Sequence, residues 1–389
     1  MATLQKHGIL PYQQIRRLIK ERVISADLQI EDRQVQPASL DLRLGAKAYR
    51  LRSSFLPERT DTFGEQTNCE DLFKHLTMYE IPLDDGDGAI LEKGHVYLVP
   101  LMEKLELPKN IGGKANPKSS TGRLDIFTRV ITKFNVGFDE IPAGYKGSLF
   151  LEIVSRSFTI RVKAGLALNQ LRLAVGNPEL SDTQLNRLHR ETSLLYKNNA
   201  DPDYPNLPLL PREVRINQGL FLRIDLQGDR KAGGAIVGYK AKKNSDVIDL
   251  SKIGFHPALE FWEPVPMHTN GTVILEPEEF YILASKERIQ VPVGYAAEMV
   301  AYEAACGELR THYAGFFDPG FGVTQNKQKG TQAVLEVRPH DVPFTIYDGQ
   351  TFFKVVYEKM LETPSQVYGA ALGSSYHQQG LTLSKHFKW

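Results

Sequence analysis

Two cysteines, Cys69 and Cys306, are all that 389 residues contain. That excludes a disulfide scaffold and any four-cysteine metal site, and it fits a reducing compartment. Excess charge of one sign is missing too: 47 Lys and Arg stand against 46 Asp and Glu, a formal net charge of +1, so no global field draws the chain to nucleic acid. Anion binding must come from local clusters. No apolar run approaches the ~20 residues of a membrane span, and the opening Met1-Ala2-Thr3-Leu4-Gln5-Lys6-His7 has no apolar signal core. The expected location is the cytoplasm, with neither nucleic acid nor membrane as partner. A zinc site of the His-x-Glu and Pro-Cys-x-x-Cys type is ruled out by the cysteine count. His189-Arg190-Glu191 fits only its first half and reads as helix surface. A P-loop is absent as well, since Gly112-Gly113-Lys114 lacks the upstream glycine and the following hydroxyl.

What is present is an ordinary apolar content of 42%, arranged mostly in short alternating runs broken by Gly, Pro, Asp or Asn. Leu40, Leu42 and Leu44 alternate with Asp41 and Arg43 as in a half-buried strand, and 89–101, 147–154 and 158–173 read the same way. The pattern predicts a mainly β chain in the sandwich or jelly-roll range with a few short helices. One helix is expected within 8–24, with Pro11 in its first turn and Ile15, Leu18, Ile19 and Ile24 on one face. Another starts at Ser181, the cap, with Gln184 three residues on, and runs to about Tyr196. A proline-rich polar stretch around 198–208 then reads as a linker.

The second half repeats the first. Ile90-Leu91-Glu92 recurs as Ile274-Leu275-Glu276, Tyr97 as Tyr281, Leu151-Glu152-Ile153 as Leu335-Glu336-Val337 and Gly165 as Gly349, each shifted by 184 (274 − 90). The chain is therefore a tandem duplication of one β domain: copy one at 1–176, a helix and linker at 177–204, and copy two at 205–389.

Two stretches carry chemistry. Lys118-Ser119-Ser120-Thr121-Gly122-Arg123 sets two hydroxyls between two cations, with Gly122 freeing the backbone to turn. Glu152 stands alone among Leu149, Phe150, Leu151, Ile153 and Val154, where burial would raise its pKa. Ser-Ser-Thr-Gly is also what an ordinary turn looks like, and a strand glutamate most often faces solvent. The repeat separates these readings, because the glutamate recurs and the grip does not: at the same offset stand Tyr302-Glu303-Ala304.

These motifs, together with Gln36-Pro37-Ala38-Ser39-Leu40-Asp41-Leu42-Arg43, Gly144-Tyr145-Lys146-Gly147, Asp318-Pro319-Gly320-Phe321-Gly322 and the ending from Gly373 to Lys385, resemble the dCTP deaminase and dUTPase superfamily. The likeness is to its deaminase branch in a double-length form. The resemblance implies two dUTPase-like distorted β-barrels. It implies hydrolytic deamination of dCTP to dUTP and ammonia, feeding dUTP and dTTP synthesis, with Mg2+ held by the triphosphate and no catalytic zinc. Residue by residue, Glu152 would be the general base, Ser119 and Ser120 would hold phosphate and the water, Lys118 the triphosphate, and Arg123 the water and developing charge. Gln378 would close the tail on the nucleotide, and Tyr145 is a candidate for stacking on the base.

Lys118 stands where the family usually has Arg, and Pro142-Ala143-Gly144 where an Asp-Pro-Gly turn is typical, with Asp139 as a substitute for that Asp. Family members are trimers with sites between subunits. This implies a homotrimer of two-copy chains, a pseudo-hexamer of domains, in which copy-one sites are complete and copy two is dead. The other arrangement is a mixed site, with Glu336 and Asp318 of copy two meeting Ser119 and Arg123 of copy one. A dUTPase or a bifunctional enzyme giving dUMP, with Asp139 positioning water, is the nearest alternative function. An inactive nucleotide-binding module is the other.

Overall fold

The computed structural model describes residues 7–57, 71, 73–133, 137–198, 206–228, 236–267, 270–301, 309–311, 315–324, 329–369, 376 and 379–389. Strands dominate, and the α-helices among these residues are short: Tyr12–Lys20, Ser119–Gly122, Asp182–Glu191 and Ala258–Phe261. The first helix buries Ile15 and Leu18 behind Pro11. The third is capped as its sequence dictates, with Ser181 accepting from Gln184 N, but it ends at Glu191 because His189 turns inward. The His189 side chain is only 3% exposed; its Nδ1 accepts from Leu194 N at 3.2 Å and its Nε2 meets Leu209 O at 3.0 Å. Burial lowers its pKa. It is a neutral structural histidine, not helix surface, because the strand after the helix folds back over it. Leu185 and Leu188 enter the core of the second copy. None of the described helices is long and apolar enough to cross a membrane.

The duplication is visible in register and in hydrogen bonds. The strand Lys146–Ser155 pairs antiparallel with Val96–Glu106, placing Glu152 opposite Leu98; Thr331–Pro339 pairs with Tyr281–Ile289, placing Glu336 opposite Ile282. Both positions are 184 apart (336 − 152; 282 − 98). The Tyr97 hydroxyl accepts from Glu92 N at 3.1 Å and the Tyr281 hydroxyl from Glu276 N at 2.9 Å. A buried glutamate holds an arginine backbone and side chain in each copy, Glu103 with Arg43 and Glu287 with Arg223.

The copies are not separate beads. Trp262, Phe261, Phe280 and Ile282 of copy two, with Leu383 and Phe387 of the tail, complete the apolar core around Phe158 and Ile160 of copy one; Phe158 and Trp262 lie 5.4 Å apart. Ile160 and Arg161 pair in parallel with Ile248 and Asp249. A buried cation then ties the copies by charge. Arg172, 2% exposed, donates to Glu358 at 2.8 Å, to Ala297 O at 3.0 Å and to Phe317 O at 3.3 Å, and it lies 3.5 Å from Asp318.

Removing one partner from such a network strands the others in a low-dielectric core. Arg172→Ala is expected to lower the free energy of unfolding by about 3–5 kcal/mol, read from urea denaturation. Loss of under 1 kcal/mol would mean that water reaches Glu358.

Candidate active site

The strand Ile111–Pro117 ends at proline, and Lys118 then caps a single helical turn, Ser119–Gly122. The Ser-Ser-Thr-Gly run is therefore compact, with Gly122 N donating to Lys118 O at 3.0 Å and Arg123 N to Ser119 O at 3.2 Å. Gly122 does not need a left-handed backbone, as its place in this turn shows. Its role is clearance: a methyl there would lie 2.8 Å from Glu336 Oε1 and closer still to Oε2. Only glycine lets the second copy bring its carboxylate this near.

Around that approach the two copies enclose a cavity of about 60 Å3 lined by Lys118, Ser119, Arg123, Asp318, Glu336 and Gln379 together with an aromatic wall. Phe317 and Phe321 pack 4.8 Å apart and Phe321 and Tyr368 5.5 Å apart along the wall. Burial pushes the Glu336 carboxyl up to about 8, against the pull of Arg123 and with the help of Asp125. Burial likewise pushes Asp318 up to about 6, opposed by Arg172. Arg123 is 3% exposed, and burial lowers its pKa, but a guanidinium has so high a starting value that it stays charged. It stacks 3.8 Å from the Tyr376 ring centre and donates to Gln379 Oε1 at 2.7 Å and Thr382 O at 2.9 Å.

The sequence-predicted residues divide into two groups. Lys118, Ser119, Gly122, Arg123, Glu336 and Asp318 come together in the seam. Lys118 also forms an ion pair with Asp41. Ser120 is buried on the other side of the turn, where its carbonyl accepts from Ser384 Oγ at 2.8 Å.

Glu152 is not with them. It is fully buried, and its Oε1 accepts from Arg129 Nε at 2.9 Å and from Arg129 Nη2, because its strand pairs with Ile126–Ile131 and Arg129 falls directly opposite. The face of Ser119 and Arg123 on which Glu152 was expected is covered by Glu336 of the same chain. Asp139 stands near Glu152, not in the seam. Its Oδ1 accepts from Val130 N at 2.8 Å, and burial pushes it up to about 7. The Tyr145 hydroxyl donates to Ser148 O at 2.6 Å and braces a turn, so it does not border the cavity. Gln378 and Tyr302-Glu303-Ala304 lie outside the described residues.

Sequence reasoning missed Gln379, Tyr368 and Tyr376. Two adjacent glutamines in an irregular tail carry no periodicity that tells which faces inward. The paired tyrosines were the available signal, since a tail rich in aromatics has something to cover.

Residues 6–177 match the family model described as the 2'-deoxycytidine 5'-triphosphate deaminase (DCD) N-terminal domain, and residues 181–387 match its C-terminal domain. A crystal structure of 2'-deoxycytidine 5'-triphosphate deaminase from Agrobacterium tumefaciens is similar with a TM-score of 0.81 and 44% identity, over 92% of this chain and 100% of that one. A dCTP deaminase from Ignicoccus hospitalis is 28% identical over 153 residues, 39% of this chain and 76% of its own length. A dUMP-forming dCTP deaminase from Corynebacterium glutamicum is 27% identical over 161 residues, 40% of this chain and 77% of its own.

Gly122→Ala tests the close approach. In a helical turn the change would ordinarily stabilise by about 0.5–1 kcal/mol. Here the methyl meets the Glu336 carboxylate, so thermal unfolding is expected to show a loss of about 1–3 kcal/mol instead. A raised melting temperature would place Glu336 elsewhere.

Proposed function

Because the chain belongs to the 2'-deoxycytidine 5'-triphosphate deaminase family, we propose that dCTP is deaminated in the seam between its two copies, with Glu336 moving the proton. The observation that carries this is the burial of the Glu336 carboxyl beside Gly122 and Arg123, with a pKa pushed up to about 8. A carboxyl tuned near neutral pH can both take and return a proton.

The reaction is hydrolytic. Water adds to C4 of the cytosine ring while its proton passes to the Glu336 carboxylate, which delivers it to N3. The tetrahedral centre collapses as the freed Glu336 carboxylate takes the proton of the new C4 hydroxyl and passes it to the amino group. Ammonia leaves, and the ring keeps the water oxygen as the C4 carbonyl, so dCTP and water become dUTP and ammonia. Arg123 supplies the fixed positive charge that holds the water and the developing oxyanion in place. The ring of the base rests against the Phe316, Phe317, Phe321 and Tyr368 wall, and Ser119 and Lys118 turn toward the phosphates. Tyr376 and Gln379, which also line the cavity, meet Arg123 there.

Among the described residues no group of three or more His, Cys, Asp and Glu side chains is placed to hold a metal ion. Mg2+ enters this reading as part of the triphosphate substrate. In this reading Ser119, Arg123 and Glu336 come from one chain, and a homotrimer is the proposed assembly. The cytoplasm, where the nucleotide is made, is the proposed location.

Asp318 favours a second reading. It lines the cavity beside Lys118 with its pKa pushed up to about 6, where it could orient water at the phosphates and carry the product on to dUMP. Asp139, away from the cavity, is not suited to that task. Chromatography of dUTP, dUMP and ammonia over time separates the readings: accumulating dUTP with equal ammonia supports deamination alone, and dUMP from the start supports the coupled reaction.

Glu336→Gln is expected to lower kcat by roughly 10²- to 10⁴-fold with dCTP binding little changed, and Glu152→Gln to leave turnover within about threefold, since Glu152 is tied to Arg129. The reverse pattern would return the base to copy one. The base form of Glu336 exists above its pKa, so kcat/KM should rise with pH along an acidic limb centred near 8. A limb near the ordinary glutamate value of 4.5 would contradict the assignment.

A further inference from the structure

The strand that carries Glu336 carries Arg338 two positions on, and side chains i and i+2 of a strand leave by the same face. The turn that carries Arg123 carries Asp125 two positions on. These second residues meet. Arg338 Nη2 donates to Asp125 Oδ2 and, at 2.9 Å, to Ser157 Oγ, while Ser157 Oγ donates to the same carboxylate oxygen at 2.6 Å. Asp125 is fully buried and Arg338 is 4% exposed.

The copy-one side of this contact is stiff. Asp125 has a left-handed backbone, φ +56°; its N donates to Gly122 O and its O accepts from Arg156 N, each at 2.9 Å. Arg338 Nη1 also reaches Glu278 O, which fixes the copy-two side. A buried ion pair adds little net stability over an apolar pair of the same size. What it can supply is register across a seam.

We propose that the Asp125–Arg338 pair is the positioning device of this active site: it sets the Glu336 carboxyl at its distance from Gly122 and Arg123 by locking the copy-two strand to the copy-one turn. This rests on Glu336 being the base. The duplicated strand supplies a comparison inside the molecule. The copy-one equivalent of Arg338 is Val154 (338 − 184), and there the glutamate is held by Arg129 on its own sheet. Where the arginine two positions on is present, the glutamate is left facing a cavity.

Charged and titratable groups face Glu336 from several sides: Arg123 and Asp125 from the turn, Arg338 on its own strand, Lys118 and Asp318 across the cavity, and Tyr368 and Tyr376 from the C-terminal segment. Of these, Asp125 is a carboxylate that raises its pKa. Removing that charge therefore moves the acidic limb of kcat/KM to lower pH.

The test uses the full chain with dCTP and follows ammonia. The double variant Asp125→Asn with Arg338→Gln replaces the ion pair by two amides and leaves no buried charge unpaired. It is expected to melt cooperatively and to lose kcat by roughly 10- to 100-fold, the scale of a misplacement of about 1 Å, with KM for dCTP within about threefold. Asp125→Asn alone should shift the acidic limb downward, and Arg338→Lys, which keeps the charge but not the fork, should recover part of kcat. Wild-type kcat in the folded double variant would overturn the proposal, as would a raised KM at unchanged kcat. Should the double variant not fold, Arg338→Lys decides, because normal kcat there together with an unmoved limb in Asp125→Asn overturns it equally. Glu336→Gln run alongside separates the two claims: activity in that variant removes the base itself, whereas a dead Glu336→Gln beside a normal double variant removes only the positioning role.

Discussion

A carboxyl held in a seam that water barely reaches is the constraint on which the rest of the structure depends. Taking a charge out of water is costly, and a protein meets that cost by leaving the group protonated or by surrounding it with fixed partners. Glu336 has both options in reach, with burial pushing its pKa up to about 8 and Arg123 pulling it back. That balance needs the two copies to stay in one relative position. The shared aromatic core around Trp262, the Arg172 network and the Asp125–Arg338 pair all cross the same seam.

The duplication shows which features belong to the fold and which to the chemistry. The Glu103–Arg43 and Glu287–Arg223 pairs and the Tyr97 and Tyr281 hydroxyl contacts occur in both copies, because each β domain needs them to close. The glutamates at 152 and 336 also recur in the same register, but their surroundings differ. One faces Arg129 across a strand pair and is neutralised; the other faces a cavity shared with the grip. A single opposing residue separates a glutamate tied into its own sheet from one that borders the cavity.

Much of the fold was legible. The alternating runs, the Ser181 cap with Gln184 and the offset of 184 could be read because each depends on neighbours in sequence, and propensity and periodicity act over that range. The grip at 118–123 was legible for the same reason. Its partner was not. From Glu152 and Glu336 alone, nothing says which one stands beside Gly122, since both sit in the same apolar pattern. The tail was harder still: Gln378 and Gln379 are adjacent and irregular, and only packing shows that Gln379 accepts from Arg123.

The sequence by itself determined a mainly β duplicated chain, a run of hydroxyls between two cations confined to copy one and a glutamate within an apolar run in each copy, since composition, period and offset are properties of the string. The tertiary structure decided which glutamate meets the grip, why position 122 is glycine and which tail residues cover the site. These are contacts between segments some two hundred residues apart, where distance and desolvation are set by how two copies pack and not by any local pattern.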